Sequence, residues 1–169
     1  MMRLVGAAFL AMGCAWLGFQ AAENLRRRCR SLRQMAQTLR ILEQELELGA
    51  PPLPQLLVRA AERSTGPGKK LLEGCVRGLN ELEREAFSTL WRRLVSGLEE
   101  LGPEGRGILA PLGDVLGRYD SRAQEEGVAA VRRRLEELAE RGEVERRQQG
   151  RVYQALGLSG GAFLVILLL

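Results

Sequence analysis

The sequence predicts an all-α protein of about six helices, and three observations support this. Leu, Arg, Glu and Ala dominate, and these residues favour helices because they lose little rotamer freedom there. Apolar residues recur at helical spacing through the middle of the chain. Finally, strand-favouring residues are scarce in the middle of the chain, between the uncharged segments 4–22 and 152–169, which enclose all 21 acidic residues and every basic residue except Arg3.

The first predicted helix begins in the apolar segment 4–22 and continues to residue 48. A heptad seam runs along it, formed by Leu25, Leu32, Met35, Leu39, Leu42 and Leu46. Such a seam fits the core face of a bundle or a homotypic coiled coil. Its short length and its interruption at Arg28 favour the core face. Gly49 can cap the helix, and Pro51 and Pro52 cannot continue it.

Four shorter helices are predicted next, with glycine- and proline-rich turns between them. Their expected ranges are 53–64, 67–81, 83–101 and 107–117. The predicted helix over 83–101 has an apolar face formed by Phe87, Leu90, Trp91, Leu94, Leu98 and Leu101. The stretch "GPEGRG" that follows it predicts a break.

The last predicted helix begins near Ser121, because Asp120 or Ser121 can cap it and Gln124 completes a capping box with Ser121. Its apolar stripe consists of Val128, Val131, Leu135 and Leu138. We expect this helix to continue into the C-terminal apolar segment. The long first and last helices would then lie antiparallel.

The two apolar ends predict transmembrane helices, since about 20 apolar residues span a bilayer. Buried core helices are the alternative, although neither segment shows a polar stripe. The predicted organisation is a transmembrane helix over 1–22, a helical domain over 23–151 and a second transmembrane helix over 152–169.

Arginines flank the inner ends of both apolar segments. They are Arg26, Arg27, Arg28 and Arg30 after the first segment, and Arg146, Arg147 and Arg151 before the second. Basic residues mark the cytoplasmic side of membrane helices. The sequence therefore predicts a hairpin whose central domain faces the cytoplasm.

Small residues at helical spacing could let the two membrane helices approach closely. The first segment has Ala7, Ala11 and Ala15, and the second has the pair Gly157 and Gly161. Packing of these helices on each other or on a membrane partner is one interpretation. The other interpretation is that these small residues face lipid and have no packing role.

Nothing in the sequence predicts a catalytic, cofactor or metal site. Histidine is absent, and the three cysteines form no CxxC pair or zinc-like cluster. Cys29 is interpreted as an incidental surface thiol. Neighbouring carboxylates such as Glu99 and Glu100 do not share a helix face. The arginine runs lack interleaved aromatics and have acidic residues close by, so nucleic acid is not expected as a partner. No small-molecule substrate is expected either.

Four stretches together resemble the stage III sporulation protein AB family of endospore-forming bacteria. They are "RLVGAAFLAMGCAWLGF", "LEQELELGAPPL", "LGDVLGRYD" before a long charged helix, and "LGLSGGAFLVILLL" at the C-terminus. The resemblance covers the whole chain in order. It also indicates that the turn at Gly49, Pro52 and Leu53 is structural.

The resemblance implies a role in the secretion-like channel complex between mother cell and forespore. Members are anchored in the outer forespore membrane, with the central domain facing the mother-cell cytoplasm. The implied partners are other stage III sporulation channel proteins, including the companion ATPase, stage III sporulation protein AA. The resemblance brings no catalytic residues, so the expected function is that of a non-enzymatic membrane scaffold.

The motif "GRYD" is the candidate partner contact that the resemblance suggests: Gly117, Arg118, Tyr119 and Asp120. A helix corner, capped by Gly117 and Asp120, is the simpler interpretation. A different class of function also stays open. "AMGC" at 11–14 is similar to a lipoprotein cleavage box, which would make the chain an exported envelope protein processed at Cys14.

Overall fold

The computed structural model describes residues 2–49, 51–79, 86–116 and 121–168. Within these ranges it describes the side chains of all residues except 2–19, 21–22, 121, 146 and 148–168. The helices are α1 (Met2–Glu47), α2 (Leu53–Arg63), α3 (Gly66–Gly78), α4 (Phe87–Ser96), α5 (Gly102–Leu109), α6 (Gly113–Leu116) and α7 (Ser121–Leu168). The described ranges contain no strand, so the predicted all-α fold is confirmed.

The chain divides into two compact units. Arg27–Ala139 form one, which we call the helical unit. Met1–Arg26 and Glu140–Leu169 form the other, which we call the terminal unit. Each of the long helices α1 and α7 contributes residues to both units.

The heptad seam of α1 supplies the centre of the core in the helical unit. Its members are buried at Leu32, Met35, Leu39, Leu42 and Leu46. The core also contains apolar residues of α2, α3, α4 and α7. The seam is therefore a core face, as its interruption and short length suggested.

The first helix ends as predicted. Gly49 has φ +146°, a conformation that side-chain-bearing residues rarely adopt, and its N–H bonds to the carbonyl of Leu46. Pro52 lies just before α2, and its carbonyl accepts hydrogen bonds from the N–H groups of Gln55 and Leu56. Because Pro54 falls in the first turn of α2, its missing N–H costs no helical hydrogen bond.

The predicted break at "GPEGRG" is wrong, because this stretch forms most of α5. Helix α4 instead ends at Ser96, and a 3₁₀ turn follows at Glu99–Leu101. Gly102, with φ +68°, ends that turn, and Pro103 then occupies the first turn of α5. Proline is well tolerated at that position, so the Gly-Pro pair restarts a helix here instead of stopping one.

A buried tryptophan ties α4 to α5. Trp91 is completely buried, and its indole Nε1 donates a hydrogen bond to the carbonyl of Leu109, 3.0 Å away. Leu109 is the last residue of α5, where carbonyls lack intrahelical partners. The indole also packs against Gly113, where an added Cβ would lie 2.8 Å from the Trp91 side chain.

Helix α7 begins at Ser121, as predicted, although Asp120 and the Ser121 side chain lie outside the described residues. Its stripe faces the core at Val128, Leu135 and Leu138, with Val131 partly buried. Leu138 lies near Gly105, as does Leu32 of α1, whereas Arg132 pairs with Glu43. Later residues of α1 thus contact earlier residues of α7, so the two helices are antiparallel within the helical unit.

Over the residues whose side chains are described, no helix is long and apolar enough to span a membrane. Most residues of the predicted transmembrane segments, 1–22 and 152–169, lie outside that set. Their backbone is helical over 2–22 and 152–168, and their insertion in a membrane stays a prediction.

Candidate interaction surface

Several residues singled out from the sequence lie where the structure gives no side-chain information. The motif Gly117–Asp120 is outside the described residues. The side chains of Ala7, Ala11, Ala15, Gly157, Gly161, Arg146 and Arg151 are also outside them. The partner-contact and helix-packing roles of these residues therefore stay predictions.

The arginines after the first apolar segment do not all have the same environment. Arg26, Arg27 and Arg30 are exposed, as is Arg147 near the other segment. Arg28 is half-buried, and its Nε donates a hydrogen bond to the carbonyl of Leu101 at 3.3 Å. Its guanidinium crosses the face of Gly102, where a side chain would overlap it. Arg28 is therefore a packing residue of the helical unit as well as a positive charge.

We expect Arg28→Gln to lower the free energy of unfolding of the helical unit by about 1–2 kcal/mol. The substitution leaves the Leu101 carbonyl without this donor and removes the packed guanidinium. Arg30→Gln is the matched control, because it removes one charge from an exposed position and should change stability by less than about 0.5 kcal/mol. Pulse proteolysis of the full chain in urea measures both values. Equal effects would contradict the structural role of Arg28.

An ion-pair network links α1 to α7. Arg132 Nε donates to Glu43 Oε2 at 2.8 Å, and its Nη1 contacts the carboxylate of Glu136 at 3.0 Å. The Arg132 and Glu43 side chains are only 21 % and 17 % exposed. The hydrogen bond to Glu43 raises the pKa of the Arg132 guanidinium above its usual value. Both carboxylates thus share one arginine of the unit itself.

A second network links α1 to α2. The Glu45 side chain is 9 % exposed, and its carboxylate accepts a hydrogen bond from Arg63 Nη1 at 2.7 Å. Arg59 Nη1 lies 3.8 Å from the same carboxylate. Only the Glu45 carboxylate is nearly buried, since both arginines are exposed, and removal of the arginines would leave its charge uncompensated. We therefore interpret Glu45 as a structural residue.

A groove of about 590 Å³ lies along α1, where the end of α2 and the middle of α7 border it. Its lining residues are Arg33, Ala36, Gln37, Arg40, Ile41, Gln44, Arg63 and Glu136. We call it the basic groove, because three guanidinium groups face one carboxylate. Sequence reasoning missed it, since its residues come from three separate helices.

One sequence signal could have pointed to the basic groove. Residues 24–42 of α1 contain six arginines and no acidic residue. Beyond Arg30, the exposed positions of this stretch are Arg33, Gln37 and Arg40, which are spaced by three or four and share one helix face. The topology prediction uses only the first arginines of this stretch, from Arg26 to Arg30.

A second and smaller depression, about 280 Å³, lies between α2 and α3. Its lining combines Val58, Ala61 and Val76 with charged residues of both signs. Among those charged residues, Lys69 and Glu73 form an ion pair at 3.8 Å. The depression is therefore close to neutral and shows no preference for a charged ligand.

The interpretation of Cys29 as a surface thiol is wrong. Cys29 and Cys75 are both buried, because each lies on a helix face that turns into the core. Burial raises the pKa of the Cys75 thiol to about 12. Neither residue is therefore suitable for measuring membrane topology by labelling in the folded protein.

Cys75 should make stability fall at alkaline pH. Its pKa is higher in the folded state than the ordinary value of 9.0, so the unfolded state loses its proton first as the pH rises. The contribution of Cys75 to the free energy of unfolding is therefore constant below about pH 9 and declines above it. Between pH 8.5 and 10.5, we expect the wild-type free energy of unfolding to fall by about 2 kcal/mol more than that of Cys75→Ala. Parallel curves for the two proteins would contradict this origin.

The described residues include no group of His, Cys, Asp or Glu side chains arranged to hold a metal ion. The geometry that stands out is instead a small helical unit with a charged groove. Comparison with known proteins agrees with a specific family. The sequence model of "Stage III sporulation protein AB" matches residues 3–169.

The chain belongs to the stage III sporulation protein AB family.

Two relatives support this assignment. Stage III sporulation protein AB of Bacillus subtilis (strain 168) is 25 % identical over 172 residues, which cover 100 % of both chains. A solved structure of a stage III sporulation protein AB has the same fold. It superposes with a TM-score of 0.61 at 21 % identity and covers 72 % of this chain and 98 % of its own. Membership in this family gives the chain a role in sporulation.

Proposed function

We propose that this chain is a non-enzymatic, membrane-anchored scaffold of the mother cell–forespore channel complex. It would link the membrane channel to a cytoplasmic ATPase, the stage III sporulation protein AA. The proposed location is the outer forespore membrane, with the helical unit in the mother-cell cytoplasm. Other stage III sporulation channel proteins would be its further partners.

The observation that carries this proposal is the continuity of the two long helices. Helix α1 is one helix from Met2 to Glu47, and it includes both the first apolar segment and the core face of the helical unit. Helix α7 likewise includes core residues and the second apolar segment. A chain built in this way can hold a folded unit at a membrane through two helices.

The family match gives further support, because it extends over residues 3–169 and thus includes both apolar segments. The relative from Bacillus subtilis aligns along its entire length. The two apolar segments are therefore part of what the family match covers. The basic residues that flank them fit the positive-inside rule for a cytoplasmic helical unit.

Co-sedimentation tests the proposed link to the ATPase. Vesicles that contain the full chain should retain purified stage III sporulation protein AA, whereas empty vesicles should not. The folded variant Gly107→Ala should retain the ATPase equally well, since an added Cβ there meets nothing within 4 Å. Equal recovery with empty vesicles would contradict the proposed link.

A further inference from the structure

We propose that the basic groove is a docking surface for an acidic segment of a cytoplasmic protein partner. This surface depends on the proposed function in one respect, namely that the helical unit meets a protein partner. The groove lies entirely within the helical unit, between α1, α2 and α7.

Charge complementarity is the first reason. Along α1 the groove presents Arg33 and Arg40, with Gln37 and Gln44 on the same face and no acidic residue of α1 among its lining. Arg40 is exposed and forms no ion pair with the residues that the structure describes. A guanidinium forms paired, charge-assisted hydrogen bonds with a carboxylate, and the glutamine amides can bond to a peptide backbone.

Three carboxylates near the groove already have arginine partners. Arg132, which does not line the groove, holds Glu43 and Glu136 together. Glu45 is held by Arg63 and Arg59. Each of these three carboxylates therefore has an arginine partner, whereas Arg40 has none among the described residues and offers its positive charge to an incoming acidic group.

The shape favours a protein segment over a lipid surface. Ala36, which is buried, and Ile41, which is partly buried, contribute apolar lining between the charged residues. A peptide can fill such a concavity with apolar side chains while its acidic residues contact the rim. A flat bilayer surface cannot enter such a concavity.

Site-specific photo-crosslinking tests the docking surface in the full chain. The photoreactive residue benzoylphenylalanine replaces Gln37, which is exposed and lines the groove, in cells that are forming spores. The same substitution at Thr89, an exposed residue of α4, is the control. Mass spectrometry then identifies what is attached to each position.

We expect Gln37 to crosslink to an acid-rich segment of another protein, whereas Thr89 should not. Arg40→Glu should reduce this product about tenfold, because it places a carboxylate against the acidic segment. Arg134→Glu reverses another exposed arginine on a long helix and should leave the yield unchanged. Urea unfolding of both variants confirms that they are folded.

Four outcomes would overturn the docking surface. They are a lipid adduct, a crosslink to a second copy of this chain, the absence of an acid-rich product, and equal loss in Arg40→Glu and Arg134→Glu. The test is separable from that of the proposed function. If the ATPase fails to bind vesicles while Gln37 still yields an acid-rich product, the ATPase link fails and the docking surface stands.

Discussion

Trp91→Ala should lower the free energy of unfolding of the helical unit by about 3–5 kcal/mol. Trp91 is completely buried, lies against Gly113 and has the Phe87 ring 6.0 Å away, centroid to centroid. Its loss creates a cavity and also leaves the Leu109 carbonyl without its hydrogen bond. Pulse proteolysis of the full chain in urea, in detergent, measures the effect.

Two further substitutions separate the causes of this loss. Trp91→Phe keeps most of the apolar area but removes the indole donor, so it should cost about 1–3 kcal/mol. Thr89→Ala lies on the exposed face of α4 and should change stability by less than about 0.5 kcal/mol. If Trp91→Ala were no more destabilising than Thr89→Ala, the core described for the helical unit would be wrong.

Gly68→Ala should lower the free energy of unfolding by about 1–3 kcal/mol or more, because it overpacks the contact between α1 and α3. An added Cβ would overlap the Thr38 hydroxyl and lie 2.6 Å from Thr38 Cβ. Thr38 is buried, and its hydroxyl bonds to the Gln34 carbonyl at 3.1 Å. A β-branched side chain has few other rotamers in a helix, so the helices would have to separate.

Gly107→Ala is the matched control for Gly68→Ala. Gly107 is also helical, but nothing lies within 4 Å of an added Cβ. Alanine there should leave stability unchanged or raise it by about 0.5–1 kcal/mol, because it favours the helix. Similar urea midpoints for Gly68→Ala and the wild type would show that α1 and α3 do not pack this closely.

The parts of the fold that could be predicted from the sequence depend on local signals. The heptad spacing of leucines identified the core face of α1, and Gly49 with the following prolines identified its end. The apolar stripe of α7, from Val128 to Leu138, could also be predicted from the sequence. In each case the pattern lies within one helix, so no knowledge of neighbouring elements was needed.

The predictions that were wrong concern residues whose conformation or burial depends on the tertiary structure. Gly102 and Pro103 resemble a helix stop, yet they begin α5 because Gly102 can adopt a positive φ and proline suits a first turn. Arg28 and Cys29 resemble surface residues, but neighbouring helices bury them wholly or in part. The basic groove needs α1, α2 and α7 together, and no single stretch of sequence could reveal it.

The central proposal is that the chain is anchored in a membrane with its helical unit on the cytoplasmic side. The positive-inside pattern supports this proposal, since seven arginines flank the inner ends of the two apolar segments, although one of them, Arg28, also packs against the helical unit. The native thiols Cys29 and Cys75 are buried, so a new surface thiol is needed to test the orientation.

The most direct measurement is labelling of Thr89→Cys, in a Cys14→Ser background, with a membrane-impermeant maleimide. Thr89 is exposed on α4, within the helical unit. The full chain should resist extraction from vesicles by carbonate, and Thr89→Cys should react only when the cytoplasmic face is accessible. Labelling from the opposite face, or release of the chain by carbonate, would contradict the account.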